Sequence, residues 1–298
     1  MRDVRERILG SLPALITPFS DGLVDETAFR RLVSWQISEG SHGLVPVGTT
    51  GESATLSHAE HRRVVEICID ETKGRVPVVA GAGSNSTAEA IALTKHAKEA
   101  GADAVLSVAP YYNRPTQEGL YRHFATIADA VDIPIVVYNI PARSAVEISV
   151  ETMARLSRVA NIIGIKDATA NLARPSRERL VCAAGLRYLS GEDATALGYM
   201  AHGGHGCISV TANVAPRLCA AFQEACMAGN YARALEIQDA LMPLHDAMFC
   251  EASPAPVKFA ASLIGMCSDE VRLPLVSASE AARVKVRETM ASVGLIKA

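Results

Sequence analysis

Ile133-Pro134-Ile135-Val136-Val137-Tyr138-Asn139 and Asn161-Ile162-Ile163-Gly164-Ile165-Lys166-Asp167 are two short apolar runs that each end in a polar pair. Their starts lie 28 residues apart, room for one helix between two strands. Runs that are apolar throughout, not alternating, suit strands covered on both faces, as in a parallel sheet. Working outward, similar runs begin at Leu12, Gly43, Val76 and Asp103 on one side and at Arg187 and Gly206 on the other. Helix signals fill the gaps. Ser57-x-x-Glu60 and Ser86-x-x-Glu89 read as capping boxes, and Gly40, Gly74, Gly101, Gly185 and Gly203 sit where helices should stop. Eight such units predict an α/β protein whose residues 1–229 form a (β/α)8 (TIM) barrel. A doubly wound open sheet would normally have fewer strands and a nucleotide loop. After Gly229 the strand pattern stops. Residues 230–247 read as a helix, Ser253-Pro254 as an N-cap with proline at the first helical position, and Ser277-x-x-Glu280 as the opening of a last helix. Residues 230–298 are therefore expected to be a small helical appendage.

With 298 residues, 49% of them hydrophobic, the chain is long enough to bury a core without disulfide or metal. The balance of 29 basic against 32 acidic residues gives no electrostatic footprint for nucleic acid, and no block of like charge marks a membrane surface. The N-terminal Met-Arg-Asp-Val-Arg-Glu-Arg lacks the apolar centre of a signal peptide, and no apolar run approaches the roughly 20 residues of a membrane span. Seven scattered cysteines, none in a C-x-x-C pair, suit free thiols in a reducing compartment. A cytoplasmic protein is expected. His58-x-x-His61 and His202-x-x-His205 lack a third ligand at metal spacing, so no metal is expected.

In a barrel the chemistry sits at the C-terminal ends of the strands. Lys166 closes one strand, where a partly desolvated ammonium would lean toward the neutral amine that a Schiff base requires; the bland alternative is a lysine that snorkels or pairs with Asp167. Tyr138 holds the matching place one strand earlier and could shuttle protons, or simply line the rim. Gly48-Thr49-Thr50-Gly51 offers two hydroxyls and backbone N–H groups for a carboxylate or phosphate, although the same tetrapeptide makes an ordinary βα loop. Arg143, just after Ile140-Pro141-Ala142, could clamp a second carboxylate or be a surface arginine.

Five ordered stretches carry a resemblance: Gly48-Thr-Thr-Gly-Glu-Ser53, Pro110-Tyr-Tyr-Asn-Arg-Pro115, Tyr138-Asn-Ile-Pro-Ala-Arg143, Ile163-Gly-Ile-Lys-Asp-Ala-Thr169 and Ser190-Gly-Glu-Asp193. Together they resemble the 4-hydroxy-tetrahydrodipicolinate synthase (dihydrodipicolinate synthase) family, within the pyruvate-dependent class I aldolase and N-acetylneuraminate lyase superfamily, from about Leu12 to Lys258. The resemblance implies a lyase of lysine and diaminopimelate biosynthesis that condenses pyruvate with L-aspartate-4-semialdehyde. Pyruvate would form an imine with Lys166, with no other cofactor. It further implies a hydroxyl relay of Tyr138, Thr50 and Tyr112, the last reaching across a subunit interface of a homotetramer. Thr49 and Thr50 would hold the pyruvate carboxylate, Gly191 and Ile208 would line its pocket, and Arg143 would receive the semialdehyde carboxylate. An allosteric lysine site would involve Ser53, Ala54, His58, His61, Asn85, Glu89 and Tyr111. Ser253 and Glu192 stand where the family often has Asn and Asp. The alternative within the superfamily is an aldolase releasing pyruvate from a 2-keto-3-deoxy sugar acid or related 2-keto acid, which shares much of this frame. A resemblance to N-acetylneuraminate lyase would imply Ser-Thr in the second loop and no arginine at 143, so Thr49-Thr50 and Arg143 favour the synthase.

Overall fold

The computed structural model describes residues 4–297; Met1 to Asp3, part of the N-terminal stretch read above, lie outside them. In chain order the elements begin with α1 (Val4–Arg7), β1 (Gly10–Pro13), β2 (Phe19–Ser20), β3 (Leu23–Val24), α2 (Glu26–Ser38) and α3 (His58–Thr72). They continue with β4 (Val79–Gly81), α4 (Thr87–Ala100), β5 (Ala104–Val108), α5 (Gln117–Ala130), β6 (Ile135–Asn139), α6 (Pro141–Ser144) and α7 (Val150–Leu156). Then follow β7 (Ile162–Asp167), α8 (Arg174–Val181), β8 (Arg187–Ser190), α9 (Ala196–Ala201), β9 (Gly206–Ser209) and α10 (Pro216–Met227). The C-terminal helices are α11 (Tyr231–Met248), α12 (Ala255–Leu263) and α13 (Glu280–Ser292).

Seven strands pair in parallel in the order β1-β9-β8-β7-β6-β5-β4. The segment after Gly43 is the eighth stave, although it forms bridges and no regular ladder: Ala14 bridges Val45 and Leu44 bridges Val78, both in parallel. Val45 N–H donates to Pro13 O at 3.0 Å, and Val79 N–H to Leu44 O at 2.9 Å, so the stave joins β1 to β4 and closes the barrel. Its ladder stays short because Pro46 has no N–H to give and Val47 turns left-handed at φ 49°. Two layers of apolar side chains follow. Leu12, Val45, Val79, Leu106, Val136, Tyr138, Ile163, Leu189 and Ile208 fill the barrel, while Val105, Ile135, Val137 and Ile165 face the helices.

A bulge in β7 sets the direction of the site lysine. Ile135 pairs with Ile162 but Val136 pairs with Gly164, so Ile163 is the extra residue. Strict alternation from inward-facing Ile163 would send Lys166 out to the helices; the bulge resets the phase, leaving Ile165 outward and Lys166 inward beside Tyr138. The β2–β3 hairpin was not anticipated. Asp21 and Gly22, at φ 52° and 78°, form its two-residue turn, as a primed turn needs.

Several helix starts differ from expectation. Pro254, not Ser253, takes the cap position of α12, without a side-chain cap. Ser279, not Ser277, caps α13, because Glu251 accepts hydrogen bonds from its N–H and hydroxyl and fixes its orientation. Ser57 and Glu60 make the full reciprocal capping box. Ser86 caps α4 from one side only, Glu89 being turned to other partners. No helix among the described residues is long and apolar enough to cross a membrane.

Candidate active site

Lys166 and Tyr138 lie side by side on β7 and β6, paired in register and each only 5% exposed. The Lys166 Nζ sits 4.1 Å from the centroid of the Tyr138 ring. Gly191 follows β8, and its missing side chain is what makes room: a Cβ there would stand 3.0 Å from Lys166 Cε and 2.9 Å from Ala168 Cβ. Ile208 on β9 is buried in the same inner layer. Arg143 is exposed on the short helix α6, directly beyond β6. With Thr49, Glu52, Ser53, Tyr111 and Ser253 it lines a cavity of about 360 Å³. Of the residues expected at the strand ends, Lys166 and Tyr138 are thus paired and buried together, while Thr49 and Arg143 share the open cavity.

The threonine loop is tightly built. Gly51 and Ser53 donate N–H bonds to Gly48 O, and Glu52 donates to Thr49 O, so these amides are used within the loop. Thr17 Oγ1 donates to Gly51 O at 2.7 Å in a buried position. Glu52 adopts φ 55° and points its carboxylate inward, where Lys258 Nζ donates to Oε1 at 2.6 Å and Arg272 N–H to Oε2 at 3.0 Å. Burial pulls the Lys258 ammonium below the usual lysine range, and the Glu52 carboxylate opposes that pull. Breaking such a buried pair on one side typically costs about 3–5 kcal/mol, because the other charge is left stranded.

On the outer side of β7, Asp167 faces α8. Arg174 pairs there with Glu178 at 2.9 Å and lies 3.8 Å from Asp167, all three nearly inaccessible. Burial raises the Asp167 carboxyl and pushes Glu178 up to about 7. Asp167 is thus engaged away from Lys166, which removes the simple ion pair as an account of that lysine.

A second cavity of about 170 Å³ backs onto the first, sharing Ser53, Ala54, Gly83 and Tyr111 and adding His58, His61 and Glu89. Glu89 accepts from Ser84 and pairs with His58 Nε2 at 2.6 Å, interactions that hold its carboxyl below the usual range. His61 is pushed down to about 4 by burial. Asn85 does not line this cavity; its side chain donates to Tyr111 O at 3.2 Å. Tyr112 is not brought to Lys166 within the chain. It stands 91% exposed at φ 68° on the loop after β5. Among the described residues no group of three or more His, Cys, Asp or Glu could hold a metal.

The model of the dihydrodipicolinate synthetase family matches residues 7–293. The 4-hydroxy-tetrahydrodipicolinate synthase of Afipia carboxidovorans is 63% identical over 98% of this chain and 99% of its own. The chain belongs to the dihydrodipicolinate synthetase family. Among solved family structures, the chloride-inhibited dihydrodipicolinate synthase from Acinetobacter baumannii complexed with pyruvate superposes with a TM-score of 0.95 at 43% identity, covering 97% of this chain and 100% of that one. The enzyme from Cyanidioschyzon merolae with lysine bound gives 0.94 at 35% identity, covering 97% and 99%.

Within this family frame, Lys258 and its buried contact with Glu52 were missed as part of the site's surroundings. The signal was available: Ala255-Pro-Val-Lys-Phe-Ala-Ala261 is an apolar helical run interrupted by one cation, and a buried cation requires a partner.

Proposed function

We propose that this protein catalyses the 4-hydroxy-tetrahydrodipicolinate synthase reaction, condensing pyruvate with L-aspartate-4-semialdehyde for lysine and diaminopimelate biosynthesis. The observation that carries this reading is the burial of Lys166 against Tyr138, with Gly191 at its Cε. The Lys166 amine adds to the pyruvate carbonyl, and water leaves to give an imine. Tyr138, which can donate and accept, moves the protons of addition and dehydration through a relay with Thr50 and the Tyr112 of a neighbouring subunit. Thr49 and Thr50 hold the pyruvate carboxylate, and Ile208 closes the pocket on the apolar side. Loss of a methyl proton gives an enamine whose carbon attacks the aldehyde, while Arg143 holds the second carboxylate. The adduct's own amine then displaces Lys166 and closes the ring. The imine is the electron sink, so the scheme uses no metal or organic cofactor.

Residues 1–229 carry the reacting groups, and residues 230–298 add Ser253, Pro274 and Leu275 to the wall of the Arg143 cavity. The exposure of Tyr112 supports a homotetramer built from tight dimers, in which that ring enters the partner's site. Seven free cysteines suit a reducing cytoplasm. The cavity at Glu89 supports feedback inhibition: its carboxylate offers an ammonium a partner, and Ser53, Ala54, His58, His61 and Tyr111 surround the rest of a lysine, with Asn85 fixing Tyr111. The central test is borohydride trapping with pyruvate followed by peptide mass spectrometry. A reduced adduct on Lys166, absent from Lys166→Arg, is the expected result; an unmodified Lys166 would overturn the reading.

A further inference from the structure

The loop bearing Thr49 and Thr50 is bracketed by two residues with side chains in the left-handed region, Val47 at φ 49° and Glu52 at φ 55°. A β-branched residue with positive φ is an outlier, and such backbone persists only where its surroundings over-determine it. On the Val47 side the barrel provides that grip. Gly81 approaches so closely that a Cβ would stand 2.2 Å from Val47 O, and one on Gly51 would stand 3.1 Å from Val47 Cα. On the Glu52 side the grip comes from the C-terminal helical segment. Both carboxylate oxygens are bound, Oε1 by Lys258 Nζ and Oε2 by the Arg272 N–H. Lys258 is itself fixed by a 2.6 Å bond to Glu270 O and by the Phe19 ring 3.9 Å from its Nζ. Side-chain exposure is 0% for Lys258 and 1% for Glu52, so neither touches solvent.

We propose that Lys258 is a positioning residue for the substrate keto acid: through Glu52 it holds the strained loop so that Thr49 and Thr50 can take the carboxylate of the keto acid bound at Lys166. The inference rests on the Schiff-base reading above. It gives the appendage a part in substrate binding, although Lys258 lies 206 residues from Glu52 in the chain. A purely structural ion pair would make a different demand. Replacing both charges by neutral groups of similar shape would then restore everything the pair provides.

The test compares wild type with the double variant Glu52→Gln/Lys258→Met and with the charge-conserving Glu52→Asp. Each is followed by circular dichroism, thermal unfolding, and the pyruvate dependence of both borohydride trapping and the steady-state rate. The double variant is expected to fold and to need at least about tenfold more pyruvate for half-maximal trapping, with a smaller change in rate at saturation. Glu52→Asp, which keeps the charges but shortens the reach, is expected to raise the pyruvate KM severalfold at near wild-type melting temperature. Wild-type pyruvate dependence in either folded variant overturns the proposal. Should the double variant not fold, Glu52→Asp alone decides. Failure of the wild type to form an adduct on Lys166 would instead overturn the Schiff-base reading, and this proposal with it.

Discussion

A methyl group at position 191 would occupy the space now taken by Lys166 Cε, 3.0 Å away, and Ala168 Cβ, 2.9 Å away. Ala168 cannot move aside by rotation, so the lysine must. Gly191→Ala is therefore expected to lower the rate of imine formation by about 10²-fold, the usual cost of displacing a reacting group by about an ångström. Stopped-flow trapping with pyruvate measures it; an unchanged rate would show that Lys166 reacts from another rotamer. The residues of this constellation were legible as candidates because the C-terminal ends of barrel strands open on the site, where Lys166, Tyr138 and Gly191 stand; their roles came from the resemblance. For Lys258 only the buried cation was legible, since its partner is a carboxylate far away in the chain. The same holds for Asp167, whose partner Arg174 reaches it at 3.8 Å from the next helix.

Between strands and helices, legibility follows how local the determining interaction is. The Ser57–Glu60 capping box is settled within four residues and stands as read. Ser86-x-x-Glu89 has the same spelling, yet Ser84 and His58 compete for the carboxylate, and His58 belongs to another helix. The bulge at Ile163 is equally hidden, because it shows only in the pairing with β6. The hairpin at Asp21-Gly22 was written in the sequence, but its strands are only two residues each. The diversion of Glu89 bears on the proposed lysine site at the N-terminus of α4. An ionised carboxylate there faces a cavity lined by His58, His61 and Tyr111 and is not consumed by capping. Lysine is expected to lower the initial rate, and Glu89→Gln to raise the half-inhibitory lysine concentration at least about tenfold, since a hydrogen bond to a charged group is worth about 1.5–3 kcal/mol. Initial rates across a lysine titration of both proteins check this; equal sensitivity would remove Glu89 from the site.

At the scale of the molecule, the barrel was legible from the repeat of apolar runs, while the proposed dependence on a second copy rests on the resemblance and on one loop. The loop after β5 carries Tyr112 at φ 68° and Arg114 at φ 46°, two conformations that residues with side chains rarely adopt. It is nevertheless anchored: Asn113 Nδ2 donates to Asn85 O at 2.9 Å, and Asn85 Nδ2 to Tyr111 O at 3.2 Å. A tyrosine 91% exposed on a held loop is presented outward, where a second chain can receive it. If the receiver is the partner's site, each complete site takes Lys166 from one chain and Tyr112 from the other. Lys166→Arg and Tyr112→Phe should then each be nearly inactive alone, yet recover activity when their subunits are dissociated and reassembled together. In a mixed dimer, the chain with Lys166 intact receives the intact Tyr112 of its neighbour, whereas the other site lacks both groups. Random pairing makes half the dimers mixed with one working site apiece, so about a quarter of wild-type activity is expected. Recovery near that level, with tetramers seen by light scattering, would establish the shared site. No recovery from reassembled, folded subunits would confine the proton relay to one chain and leave Tyr112 with a role in contact alone.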